Sequence, residues 1–286
     1  MSMLDEIMCL GDGLIHHGKH SNRIYVLKAP KKNSAAFIDQ MEALAAKNGY
    51  GKIIVKAMDA CRSDYLAKGY AEEAFLPNYY EEGKGCAFLG KYCLPERQKV
   101  KNKAEIEQVL AVAQGKRDEQ IPLALEEGFA CVKMQEIDVA DMAALYKKVF
   151  ASYPFPIHEE QYIKETMRDN VIYFGIRQGE DLVGLSSAEI DWQNRNAEMT
   201  DFAVAPSCRG KNISFILLNA MEVEVKKAGI GLVYTIARSV SHGMNVTFSR
   251  QGYIFAGTLF NNTQIAGKIE SMNIWYKKLS GSHPAY

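Results

Sequence analysis

Apolar and polar positions follow two periods along the chain. Strand-like runs at 23–29 (RIYVLKA) and 52–57 (KIIVKA) flank 34–50, where Phe37, Ile38, Met41, Leu44 and Ala45 recur at helical spacing. A short helix over 64–70 closes at Gly69, the residue type that accepts the left-handed turn ending a helix. Residues 97–122 are mostly polar, carry one amphipathic helix over 104–114, and read as a connector. The second half is denser. Strand 130–137 leads to helix 138–150, with Asp138 as N-cap, and a second helix lies within 153–170. Strands 171–177 and 182–191 are joined by a QGED turn. Strand 197–206, helix 212–228, strand 232–237, helix 244–253 and a final hairpin ending at 270–279 complete the series. Strands alternating with helices predict an α/β fold, a mixed central sheet with flanking helices.

The two halves resemble each other. Residues 47–78 run parallel to 227–261, and both contain an aromatic residue four positions before a Gly-Tyr pair: Tyr65 with Gly69-Tyr70, and Phe248 with Gly252-Tyr253. The shared order of strand, helix, Gly-Tyr and strand predicts a duplicated unit, divided as residues 1–120 and 121–286.

Charge narrows the partners. Thirty-four Lys+Arg balance thirty-four Asp+Glu across 286 residues, so no broad positive field draws nucleic acid or an anionic membrane. A small-molecule partner is expected, and a homodimer is left open. The six cysteines form no CxxC pair and the histidines no HExxH, which predicts reduced thiols and no metal. His16, His17 and His20, beside Gly18 and Lys19, read as a solvated turn. The apolar run Ile213–Leu218 is far shorter than the roughly 20 residues a membrane span needs. The opening MSMLDEIMCLGDG is acidic where a secretory signal is basic, so a cytoplasmic protein is expected.

Chemistry concentrates in 201–220, DFAVAPSCRGKNISFILLNA. A strand runs out through Val204, breaks at Pro206, and turns through Arg209, Gly210, Lys211 and Asn212 into a helix with Ile213, Ile216, Leu217 and Ala220 inward. The first N–H groups of such a helix have no internal partner and sit at the positive end of its dipole, which suits a pyrophosphate flanked by Arg209 and Lys211. An ordinary basic loop capping a helix is the alternative. ATP binding would call for a GxxxxGK[ST] loop, and the segment has none.

The string AVAPSCRGKNISFILL, followed by a strand and then Asn245, Phe248 and Gly252-Tyr253, resembles the acetyl-coenzyme A core of the GNAT acyltransferase superfamily. The resemblance covers about 130–279, while 20–93 resembles a degenerate copy without the Arg-Gly loop. Arg209 matches the family's first loop position; Asn212 and Ser214 replace small residues the family prefers there. Asn tolerates a left-handed backbone and Ser is small, so close phosphate approach is retained. The segment 234–279 is similar, more narrowly, to β-lysine N-acetyltransferases, GNAT enzymes that acetylate the ε-amine of β-lysine to give a compatible solute.

That resemblance implies an acetyl-CoA-dependent N-acetyltransferase acting on a small amine. An alkyl ammonium gives up its proton at pH 7 at a cost of about 4.6 kcal/mol, so a base is required. Glu198 is favoured as base and Asp201 as amine-positioning. A regular pleat puts Glu198 on the side of Thr200 and Phe202 and Asp201 on the other; a bulge would bring either one inward. A surface carboxylate is the alternative for each. The coenzyme would meet Phe202, the Val204 N–H as oxyanion donor, the loop from Arg209 through Ser214 (with Gly210, Lys211, Asn212 and Ile213), Asn245 and Phe248. Asn245 reads equally as an exposed cap. Phe248 stands where the family often has a Tyr acid. Tyr153, Arg238 and Glu270 are expected to border the substrate, with Arg238 on its carboxylate. Acetylation of another small amine, or a non-catalytic acyl-CoA sensor, remain the alternatives.

Overall fold

The computed structural model of the protein describes residues 5–30, 34–81, 83–117, 119, 122–265 and 267–279. The chain divides into two units: residues up to Glu107 with 238–240 and 256–274, and residues 108–237 and 241–255 with 275 onward.

In the first unit β1 (Glu6–Leu10), β2 (Gly13–Gly18) and β3 (Arg23–Lys28) form an antiparallel meander. Helix α1 (Ser34–Asn48) crosses to β4 (Lys52–Met58), which runs parallel to β3 from Arg23 opposite Lys52 to Val26 opposite Val55. Helix α2 (Arg62–Ala67) precedes a hairpin of β5 (Ala71–Glu81) and β6 (Lys84–Tyr92), and β6 closes antiparallel on β4. A short helix, α3 (Pro95–Gln98), follows. Phe37, Ile38 and Met41 of α1 bury against Ile24, Val26, Ile53 and Val55, the apolar set that the sequence pattern predicts.

The histidine cluster departs from expectation. His16 and His17 are buried residues of β2, and only Lys19 and His20 turn. Tyr50 Oη lies 2.9 Å from His17 Nδ1, while burial and the nearby Arg23 charge lower the His16 pKa to about 4. Polar rings beside a glycine imitate a turn signal, and the pairing of β2 with β3 overrides it.

The second unit takes up the chain within α4 (Lys103–Gly115), whose Leu110 and Ala113 join its core, so the polar connector carries packing residues. Then come β7 (Phe129–Lys133), α5 (Val139–Val149), α6 (Glu160–Asp169), β8 (Val171–Gln178), β9 (Asp181–Asp191) and β10 (Asn196–Val204). The four strands are a second antiparallel meander. Helix α7 (Ile213–Lys227) returns to β11 (Leu232–Arg238), parallel to β10, and α8 (His242–Arg250) follows. Strand β7 is shorter than predicted because Glu136–Asp138 form a 3-10 turn. Asp138 accepts the Gln135 N–H (2.9 Å) in that turn and does not cap α5. Ser186 reaches the Met221 sulfur of α7 (3.4 Å), while its neighbour Ser187 turns to the opposite face with Tyr173, whose hydroxyl meets Thr166 of α6 (2.8 Å). The sheet thus separates α7 from α6.

The final hairpin, β12 (Ile254–Ile265) and β13 (Lys268–Lys278), contributes residues 256–274 to the first unit. β12 meets β5 where Gly257 lies opposite Ala74; a Cβ there would stand 2.1 Å from the Glu73 carbonyl oxygen, so the position is closed to any side chain. Three buried cations fasten this return. Lys52 Nζ donates to the Phe260 carbonyl (2.6 Å) and both Glu73 oxygens (2.8 and 2.6 Å), Arg97 Nε to the Asn261 carbonyl (2.9 Å), and Arg23 Nη1 to the Asn262 side-chain oxygen (2.9 Å). Lys52→Met would leave Glu73 charged and buried without its partner. The expected loss is about 3–5 kcal/mol, measured by urea unfolding, against less than about 1 kcal/mol for the exposed Lys103→Met.

Candidate active site

The register of β10 against β9 breaks at one place. Thr200 lies opposite Ser187 and Ala203 opposite Leu185, so Asp201 and Phe202 occupy the space of one residue. Asp201 has φ of +55°, a left-handed conformation that Asp tolerates better than most residues. A regular pleat would have sent its carboxyl to the α7 face with Met199; the bulge turns it to the face of Thr200 and Ser187. Oδ1 accepts from Tyr153 Oη (2.5 Å) and Thr200 Oγ1 (3.4 Å), and Oδ2 from Ser187 Oγ (2.7 Å). Burial raises the Asp201 pKa above the usual carboxylate range, opposed by those three donors. A carboxylate so placed holds a proton more readily than an exposed one.

Around it stand four tyrosines: Tyr146 on α5, Tyr153 in the following loop, Tyr162 on α6 and Tyr173 on β8. Burial raises the pKa of all four, and the carboxylates of Asp201 and Glu189 raise each further, so the phenols stay neutral. Glu198 lies directly across from Glu189 on the face shared by Thr200 and Ser187. Of these groups the sequence points to Tyr153, Glu198 and Asp201. Tyr146, Tyr162, Tyr173 and Glu189 are missed, because each reads locally as a core or surface position of its own element.

Strands β10 and β11 pair only from Asn196–Leu232 to Glu198–Tyr234, yet they continue to Val204 and Arg238. Their pairing thus ends just before the bulge. The Ala205 N–H donates to the Val183 carbonyl (2.8 Å), so the preceding N–H, that of Val204, turns to the parted edge. Phe202 leaves the bulge on the opposite face from Asp201, and also from Glu198, and packs edge-on against Phe248 (5.6 Å).

Beyond Val204 the turn delivers Arg209 and Gly210, both exposed, to the start of α7. Gly210 has φ of +83° and Asn212, the N-cap, φ of +57°, with no side-chain cap on the first turn. The Phe215 N–H already donates to the Asn212 carbonyl (3.0 Å), so the N–H groups of Ile213 and Ser214 are those the loop can offer a pyrophosphate. Ile213 is buried, with its side chain over Gly184, and Ser214 is half-buried. Lys211 is committed elsewhere: its ammonium pairs with Glu126 and lies over the Phe129 ring (5.2 Å). Asn245 is fully buried rather than an exposed cap, donating to the Ser241 carbonyl (2.8 Å) and accepting from Trp275 Nε1 (2.9 Å). Phe248 is also fully buried, between Phe202 and Tyr253. Arg238 and Glu270 belong to the first unit and bond each other (2.8 Å), so the Arg238 guanidinium already holds one carboxylate. Among the described residues no group of His, Cys, Asp and Glu is arranged to hold a metal, and no helix is long and apolar enough to cross a membrane.

The bulged last strand of the meander, its short parallel pairing with β11 and a helix start without a side-chain cap belong, by the comparisons that follow, to an acetyl-coenzyme A-dependent N-acyltransferase. The family model for GNAT acetyltransferases matches residues 139–253, and the chain belongs to that family. A protein of Methanococcus maripaludis named beta-lysine N(6)-acetyltransferase is 35% identical over 96% of this chain and 99% of its own length. One of the same name from Methanosarcina mazei is 34% identical over 84% and 95%, and N-acetyltransferase YodP of Bacillus subtilis 32% identical over 97% and 100%. The protein transfers an acetyl group from acetyl-CoA to an amine.

In a carboxyl-carbon NMR titration, Asp201 is expected to titrate above the usual carboxylate range. Tyr153→Phe and Ser187→Ala, each removing a donor to the charged form, are expected to move it higher still.

Proposed function

We propose that the protein acetylates the N6-amine of β-lysine, giving Nε-acetyl-β-lysine, a compatible solute. The observation that supports this reading is the match to two proteins named beta-lysine N(6)-acetyltransferase over most of the chain, the first unit included. In this reading the first unit is a GNAT-like copy without a coenzyme loop. Its succession of meander, helix, parallel strand, helix and hairpin repeats that of β8 through β13.

Acetyl-CoA supplies the activated acetyl group. The first-turn N–H groups from Ile213 and Ser214, with Arg209 and Gly210, hold its pyrophosphate, and the Val204 N–H faces the acetyl oxygen. In this reading Asp201, whose carboxyl the bulge turns toward Tyr153 and Ser187, takes the proton from the substrate ammonium; the neutral amine then attacks the thioester carbonyl, the C–S bond breaks and coenzyme A leaves as its thiolate. The raised pKa of Asp201 brings it closer to that of the amine than an exposed carboxylate would come. Glu198, on the same face, keeps the substrate's approach negative. This reading exchanges the expected roles, in which Glu198 is favoured as base and Asp201 positions the amine.

Thiol release from acetyl-CoA with β-lysine, α-lysine and spermidine tests the reading; selective turnover of β-lysine is expected, and equal turnover of all three would overturn it. Asp201→Asn is expected to lower kcat/KM by about 10²- to 10⁴-fold. It should also flatten the rise of kcat/KM with pH, since only the ionised carboxylate accepts the proton. Arg209→Ala is expected to raise KM for acetyl-CoA about tenfold, with a smaller effect on kcat.

A further inference from the structure

Asp201 is a base with little access of its own. It is 8% exposed, and both carboxylate oxygens already accept hydroxyls: Oδ1 from Tyr153 (2.5 Å) and Thr200 (3.4 Å), Oδ2 from Ser187 (2.7 Å). A proton from outside therefore reaches the carboxylate through one of these hydroxyls, and the three differ. Ser187 has no exposed surface. Thr200 stands at the long end of any hydrogen bond to Asp201, and its hydroxyl also bonds the Tyr153 oxygen. Tyr153 is half-buried, and its bond to Oδ1 lies in the short range of a charge-assisted O–H···O⁻ bond. Its ring packs on Phe150 (4.9 Å), which stacks on Tyr146 of α5 (6.0 Å), so the phenol is held from the side of its ring as well as by Asp201. A phenol donates and accepts at one oxygen, which is what passing a proton along requires. The other titratable groups of this face are Tyr146, Tyr162 and Tyr173, whose phenols burial keeps neutral, and the carboxylates of Glu189 and Glu198.

We propose that Tyr153 is a catalytic residue that relays the proton: the substrate ammonium gives a proton to Tyr153 Oη while the hydrogen of that phenol passes to Asp201 Oδ1. One N–H and one O–H bond break and two O–H bonds form. The phenol ends neutral as it began, and the charges of the ammonium and the carboxylate cancel. No phenolate has to persist, which the burial of Tyr153 beside Asp201 would oppose. The proposal rests on the reading of Asp201 as base and adds the group that meets the amine.

The test follows kcat/KM with pH for whichever amine of the panel above turns over best, in the wild type, Tyr153→Phe, Ser187→Ala and Asp201→Asn. The range runs from about pH 6 to about pH 10.5, far enough to reach the amine's own pKa of about 10.4. Tyr153→Phe is expected to lose about 10²-fold at about pH 7 and to keep that deficit past about pH 9, closing it only as the free amine sheds its proton unaided. Ser187→Ala removes a donor to Asp201 that lies off the proposed path, so its deficit is expected to close earlier, as Asp201 ionises. A Tyr153→Phe deficit that closes together with that of Ser187→Ala would make the phenol a donor to Asp201 and nothing more. One that never closes would make its role structural, and either result overturns the proposal. Should Tyr153→Phe fail to fold, Ser187→Ala decides: a deficit that persists until the amine deprotonates puts the route through the serine and overturns the proposal, and one that closes as Asp201 ionises supports it. A deficit in Asp201→Asn with none in Tyr153→Phe overturns the relay alone. No deficit in Asp201→Asn overturns the reading of Asp201 as base and the relay with it, and no turnover with any amine overturns both.

Discussion

One extra residue in β10 sets the chemistry of the second unit. Because Asp201 and Phe202 share a single position opposite β9, the carboxyl and the aromatic ring are sent to opposite faces of the sheet, one to the tyrosines and one to Phe248. The pairing of β10 with β11 ends at Glu198, shortly before the bulge, and the strand continues toward the turn at Pro206. A bulge raises local twist and re-aims side chains, and the orientation of the Asp201 carboxyl would not survive a regular pleat.

The turn after β10 handles charge differently. Lys211 is neutralised by Glu126 and rests on Phe129, leaving Arg209 and the backbone of the helix start as the cationic side of the loop. Backbone N–H groups are fixed by the helix and lose no rotamer freedom when they meet an anion, whereas a lysine chain does. In the first unit the roles are exchanged: Lys52 and Arg97 donate to the backbone carbonyls of Phe260 and Asn261, and Arg23 to both the backbone carbonyl (3.2 Å) and the side-chain oxygen of Asn262, so charge serves to pin backbone rather than to receive a ligand.

The sequence was most legible where period and punctuation agreed. The path 196–227 was read nearly to the residue because Pro206, Gly210 and the apolar stripe of α7 leave little choice. The hairpins β1–β2 and β5–β6 were harder. Two histidines stand in the first, and the second is buried along β6 without a clean alternation. The carboxylates at 198 and 201 were visible as candidates, but which one faces the tyrosines was not, since NAEMTDFAV alternates as an unbulged strand would. The tyrosines converge from α5, a loop, α6 and β8, and that convergence is a tertiary fact with no local signature. Asn245 and Phe248 were legible as partners of the last helix turn, though their burial reflects Trp275 and Tyr253, residues far from them or set by the helix end.

Asp201 is constrained by its backbone as well as by its charge. Few residues other than glycine rest easily at a φ of +55°; Asp and Asn are the main exceptions, because a short polar side chain can bond locally. Glutamate keeps the charge and does not share that tolerance; asparagine shares the tolerance and lacks the charge. At position 201 aspartate combines a carboxylate with a backbone conformation that most side chains adopt only at a cost.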